Sequence, residues 1–415
     1  MVNKSQAKKQ IDILFFLYNF AGGGVEKKAL RLAAMLQDRG HRVAIAVCYP
    51  EGALAERVAA GIQVITLEKT PVWKARAAAV RADPGAFGAL LRPVLLPVSS
   101  PRMLPFLPSL ARLLARRRPR SLFTAMPHMN VVAVLARKLA GTDTRVVLSE
   151  VNAVRDKLET ASEWMLRFAA PLMKREYARA DAVIAVSNGV ADDLADFTGL
   201  ARDRITTVYN PTVTSEILEK AKEPLDHPWF APGEPPVILG VGRYHPNKDF
   251  PTLIRAFAKV RARRPARLVI LGDAAPGKKR DKYLAHLDAL IAELGIEDVI
   301  DFPGFTINPY RYMSRAALFV LSSLREGFPN VLVEALACGC PVVATDCPHG
   351  PPEILANGTF GRIVPMRGVD EMAKAIARTL DAPISAERLR ARADEFTAER
   401  AVERYERIML NTNGD

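Results

Sequence analysis

Residues 237–249 read VILGVGRYHPNKD, an apolar run that breaks into a glycine pair and then into cations. Val237–Val241 has the length and branched content of a strand buried on both faces, and a helical pattern follows over 249–264. A buried strand, a glycine-bearing loop and a helix form the opening of a parallel α/β unit, where ligands gather at the carboxyl ends of strands. Arg243 and Lys248 fall in that strand-end loop. Arg can hold a diphosphate as a fork and Lys as a point charge, and two cations beside Gly240 and Gly242 favour phosphate over plain surface charge.

The same alternation runs outward in both directions. Downstream it predicts strands at Leu268–Leu271, Val299–Phe302, Leu318–Leu321 and Val342–Ala344, with helices over 281–294, 309–315 and 330–337 and a helical end over 369–410. Immediately upstream, Pro211, Pro224, Pro228, Pro232, Pro235 and Pro236 crowd into 210–236, which reads as a linker. Before it come strands at Ile11–Leu17, Arg42–Val47, Val64–Leu67, Leu122–Thr124, Val146–Leu148, Val183–Val186 and Ile205–Val208, with helices over 26–38, 130–140, 162–179 and 188–197. The expectation is α/β: two doubly wound Rossmann-like domains, 1–209 and 237–390, facing across a cleft. A C-terminal helix within 391–415 is expected to return to the first domain.

Composition supports a globular chain of more than one domain: 415 residues, 49% hydrophobic and 25% charged. Cys48, Cys338, Cys340 and Cys347 are too few for a disulfide framework and lack zinc-site spacing, so they read as buried reduced thiols. The net charge of +13 is uneven, because residues 1–210 hold 31 Lys+Arg against 18 Asp+Glu. Residues 70–120 carry ten basic side chains and one acid, Asp83, and end in Arg116, Arg117, Arg118 and Arg120. Nucleic acid, an anionic membrane or a phosphate-bearing partner would each suit that charge. Nucleic acid is disfavoured, since Trp73, Phe87 and Phe106 are the sole stacking aromatics there and no known module is present. Lys4, Lys8 and Lys9 before Ile11–Phe20 imitate a signal peptide, but Asp12 interrupts the apolar run and no small-residue cleavage site follows. With no apolar run near the roughly 18 residues of a membrane span, a cytosolic protein is expected.

Three further segments carry chemistry. Asn19-Phe20-Ala21-Gly22-Gly23-Gly24-Val25-Glu26 joins the first strand to the first helix, where glycines permit close approach and the helix start favours an anion. It is neither G-x-G-x-x-G nor a P-loop, and a plain tight turn would use the same glycines. His128 follows another first-domain strand, in Met126-Pro127-His128-Met129-Asn130. In Glu326-Gly327-Phe328-Pro329-Asn330-Val331-Leu332-Val333-Glu334, one glutamate follows a strand and the other sits in a helix. On a continuous helix they would stand about 12 Å apart, too far for a hydrolytic carboxylate pair. That spacing suits two contacts along one long ligand, with an anion at Gly327 and the helix-start amides between them.

Taken together, these segments resemble the retaining glycosyltransferases of family 4, which have the GT-B fold. Glu326…Glu334 looks like the family's E-x7-E motif and Gly240–Asp249 like its G-x-G-R-x-x-x-x-K-D segment. Asn210-Pro211, Asn308-Pro309-Tyr310 and Asp346-Cys347-Pro348 are similar to the bacterial polysaccharide branch. The resemblance implies that Arg243 and Lys248 hold the donor diphosphate, Glu334 the ribose hydroxyls and Glu326 the transferred sugar. It places Gly23 and Gly24 toward the diphosphate, His128 near the reacting sugar, and Gly327, Phe328 and Asn330 in the substrate-binding loop. Glu326, His128, Arg243 and Lys248 are the implied catalytic set. Val151 stands where many relatives carry His, and Pro352 replaces an expected Arg.

The implied reaction is transfer from a UDP-linked sugar with retention. The nucleotide sugar is a co-substrate, and no cofactor or metal is expected, in keeping with the lack of any Asp-x-Asp. The implied acceptor is a polyprenyl-diphosphate-linked saccharide, with the protein held peripherally on the inner membrane face through residues 70–120. A nucleotide-sugar epimerase of the same shape is the enzymatic alternative, and a non-catalytic nucleic-acid binder the other.

Overall fold

A computed structural model describes residues 10–90, 94, 102–155, 166–273 and 277–412. Lys4, Lys8, Lys9, Leu91, Pro93, Leu95, Leu96, Pro97 and Pro101, and the start of the helix expected over 162–179, lie outside the described residues. The chain divides into two units, Met1–Pro211 with Glu399–Asp415, and Thr212–Ala398.

The first unit is built on seven parallel strands: β1 (Ile13–Leu17), β2 (Val43–Val47), β3 (Gln63–Thr66), β4 (Ser121–Ala125), β5 (Arg145–Glu150), β6 (Ala182–Ala185) and β7 (Ile205–Thr207). Their order is β3-β2-β1-β4-β5-β6-β7. Every residue of β1 is buried, which is why its sequence is continuously apolar rather than alternating. Among the described residues, the longer helices beside the sheet are α1 (Gly24–Asp38), α2 (Val72–Ala82), α3 (Leu107–Arg117), α4 (Pro127–Ala140), α5 (Leu166–Tyr177) and α6 (Asn188–Thr198). The C-terminal helix Ala398–Leu410 also belongs here, and lays Val402, Tyr405 and Met409 into the core that holds Phe15 and Phe123. The rings of Phe123 and Tyr405 meet edge to face at 5.8 Å.

One expectation is corrected in this unit. Leu90, Val94, Met103, Leu104, Phe106, Leu107 and Leu110 lie within the 70–120 stretch expected to rest on a membrane, yet all are core residues. Pro108 sits in the first turn of α3, where its missing N–H costs nothing, so the helix can form and turn its leucines inward. Among the described residues of 70–120, the large apolar side chains that reach solvent are Val72, Trp73 and Phe87.

The second unit repeats the plan with six parallel strands: β8 (Val237–Val241), β9 (Arg267–Leu271), β10 (Ile300–Gly304), β11 (Leu318–Leu321), β12 (Val342–Thr345) and β13 (Arg362–Val364). The order is β10-β9-β8-β11-β12-β13. Its helices include α7 (Ser215–Lys222), α8 (Phe250–Arg261), α9 (Lys278–Leu294), α10 (Asn330–Ala337) and α11 (Val369–Asp381). Helix α7 lies inside the proline-rich stretch, between Pro211 and Pro224 rather than across either. It is docked: Ile217 is buried, and Asn308 Nδ2 donates to the Lys220 carbonyl at 2.8 Å.

In each sheet the chain leaves the first strand, builds outward on one side, then crosses back to its other side. That makes β1/β4 and β8/β11 the switch points, where loops from neighbouring strands diverge and leave room for a ligand.

Candidate functional site

The loops after β8 and β11 meet at the second unit's switch point. Gly242 leaves β8, a short turn at Pro246–Lys248 follows, and Asp249 takes a left-handed conformation (φ +44°) before α8 begins. The stem of Lys248 lies back over Gly242, where a Cβ would come within 3.1 Å of its Cδ and Cε. The Gly242 carbonyl in turn presses on Gly272, whose Cβ position it fills. Two glycines therefore clear the path along which Lys248 reaches Glu326.

Lys248 Nζ stands 2.6 Å from Glu326 Oε1, with the two side chains 18% and 14% exposed. Ser323 Oγ donates to the same oxygen at 2.7 Å. The two loops are stitched beside this contact. Leu324 N donates to the Asn247 carbonyl and Asn247 Nδ2 to the Arg325 carbonyl, both at 2.8 Å, while Ser322 Oγ donates to the Lys248 carbonyl at 2.6 Å. Cys347, after β12, is close enough that Glu326 adds to the effect of burial in pushing its thiol up to about 12. All four cysteines are buried and unbridged.

The remaining second-unit candidates are spread around this pair. Arg243 is exposed, and among the described residues it forms no ion pair. Gly327 and Phe328 are buried, with the Phe328 ring 5.6 Å from that of Phe396. Asn330 opens α10, and its Oδ1 accepts from Thr212 Oγ1 at 3.3 Å. Glu334 is half-buried in the second turn of α10. Because α10 begins only at Asn330, the two glutamates are not on one helix, and the spacing drawn from a continuous helix does not apply.

In the first unit, Gly23 caps α1 and both Gly23 and Gly24 are exposed. Glu26, in the first turn, folds its carboxylate against the space a Gly23 Cβ would take. That carboxylate already uses the electropositive helix start, so an incoming anion must displace it. His128 is not in a loop but in the first turn of α4, half-buried, behind Pro127. Met126 before it holds φ +85°, a strained conformation for a side chain of that kind.

Sequence reasoning missed the buried polar residues that fix the helix carrying His128. Asn130, fully buried, donates through Nδ2 to Glu150 Oε1 at 2.8 Å and to the Ser149 carbonyl at 3.1 Å. Tyr177 donates its hydroxyl to Glu150, and burial drives that phenol well above its ordinary pKa. Glu150 was legible as a carboxylate ending an apolar strand, but not as the hub of this network. Lys28 was missed too: it is 6% exposed, 3.4 Å from Ser149 Oγ and 4.9 Å from the centre of the Tyr405 ring. Burial alone lowers its pKa to about 7.

Among the described residues, no group of three or more His, Cys, Asp or Glu is placed to hold a metal ion. Among the described residues, no helix is long and apolar enough to cross a membrane.

Residues 22–216 match the model of Glycosyltransferase Family 4, and residues 222–396 match that of Glycosyl transferases group 1. A Campylobacter jejuni relative, N-acetylgalactosamine-N,N'-diacetylbacillosaminyl-diphospho-undecaprenol 4-alpha-N-acetylgalactosaminyltransferase, is 31% identical over 62% of this chain and 66% of its own length. The lipopolysaccharide core biosynthesis glycosyltransferase LpsE of Rhizobium meliloti is 30% identical over 47% of this chain. The chain spans just over half, 53%, of that relative. A crystal structure of Anabaena Alr3699/HepE in complex with UDP superposes with a TM-score of 0.74 over 97% of this chain and 100% of that one, at 20% identity. That likeness establishes the GT-B fold.

Proposed function

Because this chain belongs to family 4 of the glycosyltransferases, we propose that it moves a sugar from a UDP-linked donor to a lipid-linked saccharide acceptor, with retention at the anomeric carbon. The observation that carries this reading is the Lys248–Glu326 contact at the second unit's switch point. A departing diphosphate and an oxocarbenium-like sugar need a cation and a carboxylate side by side, preorganised and partly shielded from water. Lys248 and Arg243 neutralise the diphosphate, Glu326 faces the transferred sugar, and Glu334 takes the ribose hydroxyls. Gly327, Phe328 and Asn330 shape the donor pocket. For the first unit, the resemblance to family 4 assigns Gly23 and Gly24 to phosphate and His128 to the sugar. The acceptor hydroxyl enters on the face the diphosphate leaves, so no covalent nucleophile takes part, and charge supplied by the side chains makes a metal unnecessary.

The lipid-linked acceptor is supported by the Campylobacter relative, whose name specifies a diphospho-undecaprenol substrate. The surface of α2 offers a place for the protein to rest on the inner membrane face. Trp73, in α2, is 67% exposed with Lys74 Nζ 5.3 Å from its ring centre, and Phe87, in the segment after α2, is 53% exposed. Indole and phenyl rings flanked by cations suit the headgroup layer of an anionic membrane.

A thermal-shift panel of nucleotide sugars tests the donor, since a ligand that binds only the folded protein raises its apparent stability. UDP-sugars should shift the transition and other nucleotide sugars should not. Donor turnover without any acceptor would select the epimerase instead.

A further inference from the structure

At the amino ends of β5, β6 and β7, a cavity of about 290 Å³ is lined by Arg145, Asp181, Arg204, Thr206, Arg407 and Asn411. Arg145 opens β5 and Thr206 lies in β7, while Arg407 and Asn411 come from the end of the C-terminal helix. A strand of five or six residues spans roughly 16–20 Å, so the cavity lies on the far edge of the sheet from the loops that carry Gly23 and His128.

Its charge is not balanced from within. Arg145 donates through Nε to the Ile408 carbonyl at 2.8 Å, and Arg204 donates to the carbonyls of Ala178 and Ala180 at 3.2 and 3.5 Å. Among the described residues neither guanidinium reaches a carboxylate. Asp181 is the acid in the lining, and its Oδ2 is already shared by Arg137 and the Val146 N–H. Arg407 lies 3.4 Å from Glu403 on the exposed side of its own helix.

Capping two helix ends accounts for one bond of Arg145 and two of Arg204. Neither that capping nor the Arg407–Glu403 pair accounts for the open volume between three cations. A guanidinium carries five N–H donors, so most remain available, and the carbonyl tethers hold Arg145 and Arg204 in place beforehand. We propose that this cavity is a second anion site, distinct from the transfer site, which takes a small soluble phosphate or diphosphate ester. At about 290 Å³ it lies at the bottom of the range for ligand pockets, right for a sugar phosphate or pyrophosphate and too small for a nucleotide sugar.

Inorganic pyrophosphate, titrated calorimetrically, is the probe. The Arg243→Ala/Lys248→Ala double variant removes the other cationic phosphate candidates and should still bind it. Arg407→Glu and Arg204→Ala should each weaken that binding tenfold or more. Arg407 is 56% exposed, so its variant reports even if loss of the Arg204 tethers prevents folding. Loss of pyrophosphate binding in the double variant, or an unchanged Kd in Arg407→Glu, overturns the proposal.

Discussion

Lys248 Nζ and Glu326 Oε1 stand 2.6 Å apart, 78 residues distant in sequence, with the Ser323 hydroxyl on the same oxygen. The contact exists before any ligand arrives. A donor diphosphate must therefore share or take the ammonium, and Glu326 becomes a more available acceptor as it does so. Such a pair behaves as one unit rather than as two independent contacts.

Removing either member should then show coupling. Lys248→Ala is expected to lower kcat/KM by about a hundredfold or more, the scale of losing one preorganised stabiliser of transition-state charge. Lys248→Ala/Glu326→Gln should lose less than the product of the single losses, by about 0.5–3 kcal/mol in a double-mutant cycle. Wild-type turnover in Lys248→Ala would sink the assignment.

The two glutamates should separate kinetically. Glu334→Gln is expected to weaken UDP binding, because a ribose contact serves ground and transition states alike. Glu326→Gln should depress kcat and leave UDP affinity nearly intact. Calorimetry with UDP beside steady-state rates decides it, and equal losses of UDP affinity would contradict the division.

Lys28 places a pH dependence in the first unit. It titrates near 10.5 when exposed and at about 7 when folded, so the folded state binds fewer protons between those values. Its contribution to stability rises as pH climbs from 7 to 10.5, and below 7 the full penalty of a buried ammonium applies, on the order of 3–5 kcal/mol. Lys28→Met should be more stable than wild type at pH 6, with the advantage shrinking toward pH 10. Urea unfolding at several pH values checks this; a pH-independent difference would refute it.

Tyr177→Phe should cost about 1–3 kcal/mol, the price of leaving the buried Glu150 short of a donor. Because Asn130 and Glu150 anchor the helix that carries His128, the same variant should also lower kcat. Denaturant unfolding and initial rates test the two halves separately.

For the membrane, Trp73→Ala/Phe87→Ala should reduce co-sedimentation with anionic vesicles more than either single change does. Binding should also fall with salt. No binding at low salt, with efficient glycosylation of a water-soluble acceptor, would end that reading and leave the transferase reading standing.

Much of the fold was open to inspection because its strands are buried on both faces. Val237–Val241, Leu318–Leu321 and the helix over 330–337 appear with the limits their apolar runs predict. Strand Arg362–Val364 was invisible, being three residues long and half exposed, with Arg362 tied to Thr379 rather than to an apolar neighbour. The burial of Leu90, Leu104, Leu107 and Leu110 could not be read beforehand, because proline-broken apolar runs look the same whether they face lipid or a core. Site residues on strand-end loops were readable one at a time. Their pairing was not, since it depends on two loops joined only through the strand order. Asn130, Glu150 and Tyr177 escaped for a related reason: buried polar networks are defined by partners, and a sequence lists the members without saying who meets whom.

The first unit's core takes Tyr405 and Met409 from the far end of the chain and sets them against residues such as Phe15 and Phe123. During synthesis this core stays open until residues 399–410 have left the ribosome, whereas the second unit, Thr212–Ala398, is continuous and can close earlier. Translation order and maturation order are thus reversed. Until that last helix docks, the apolar face of the early half remains exposed, and there a chaperone would have most to hold.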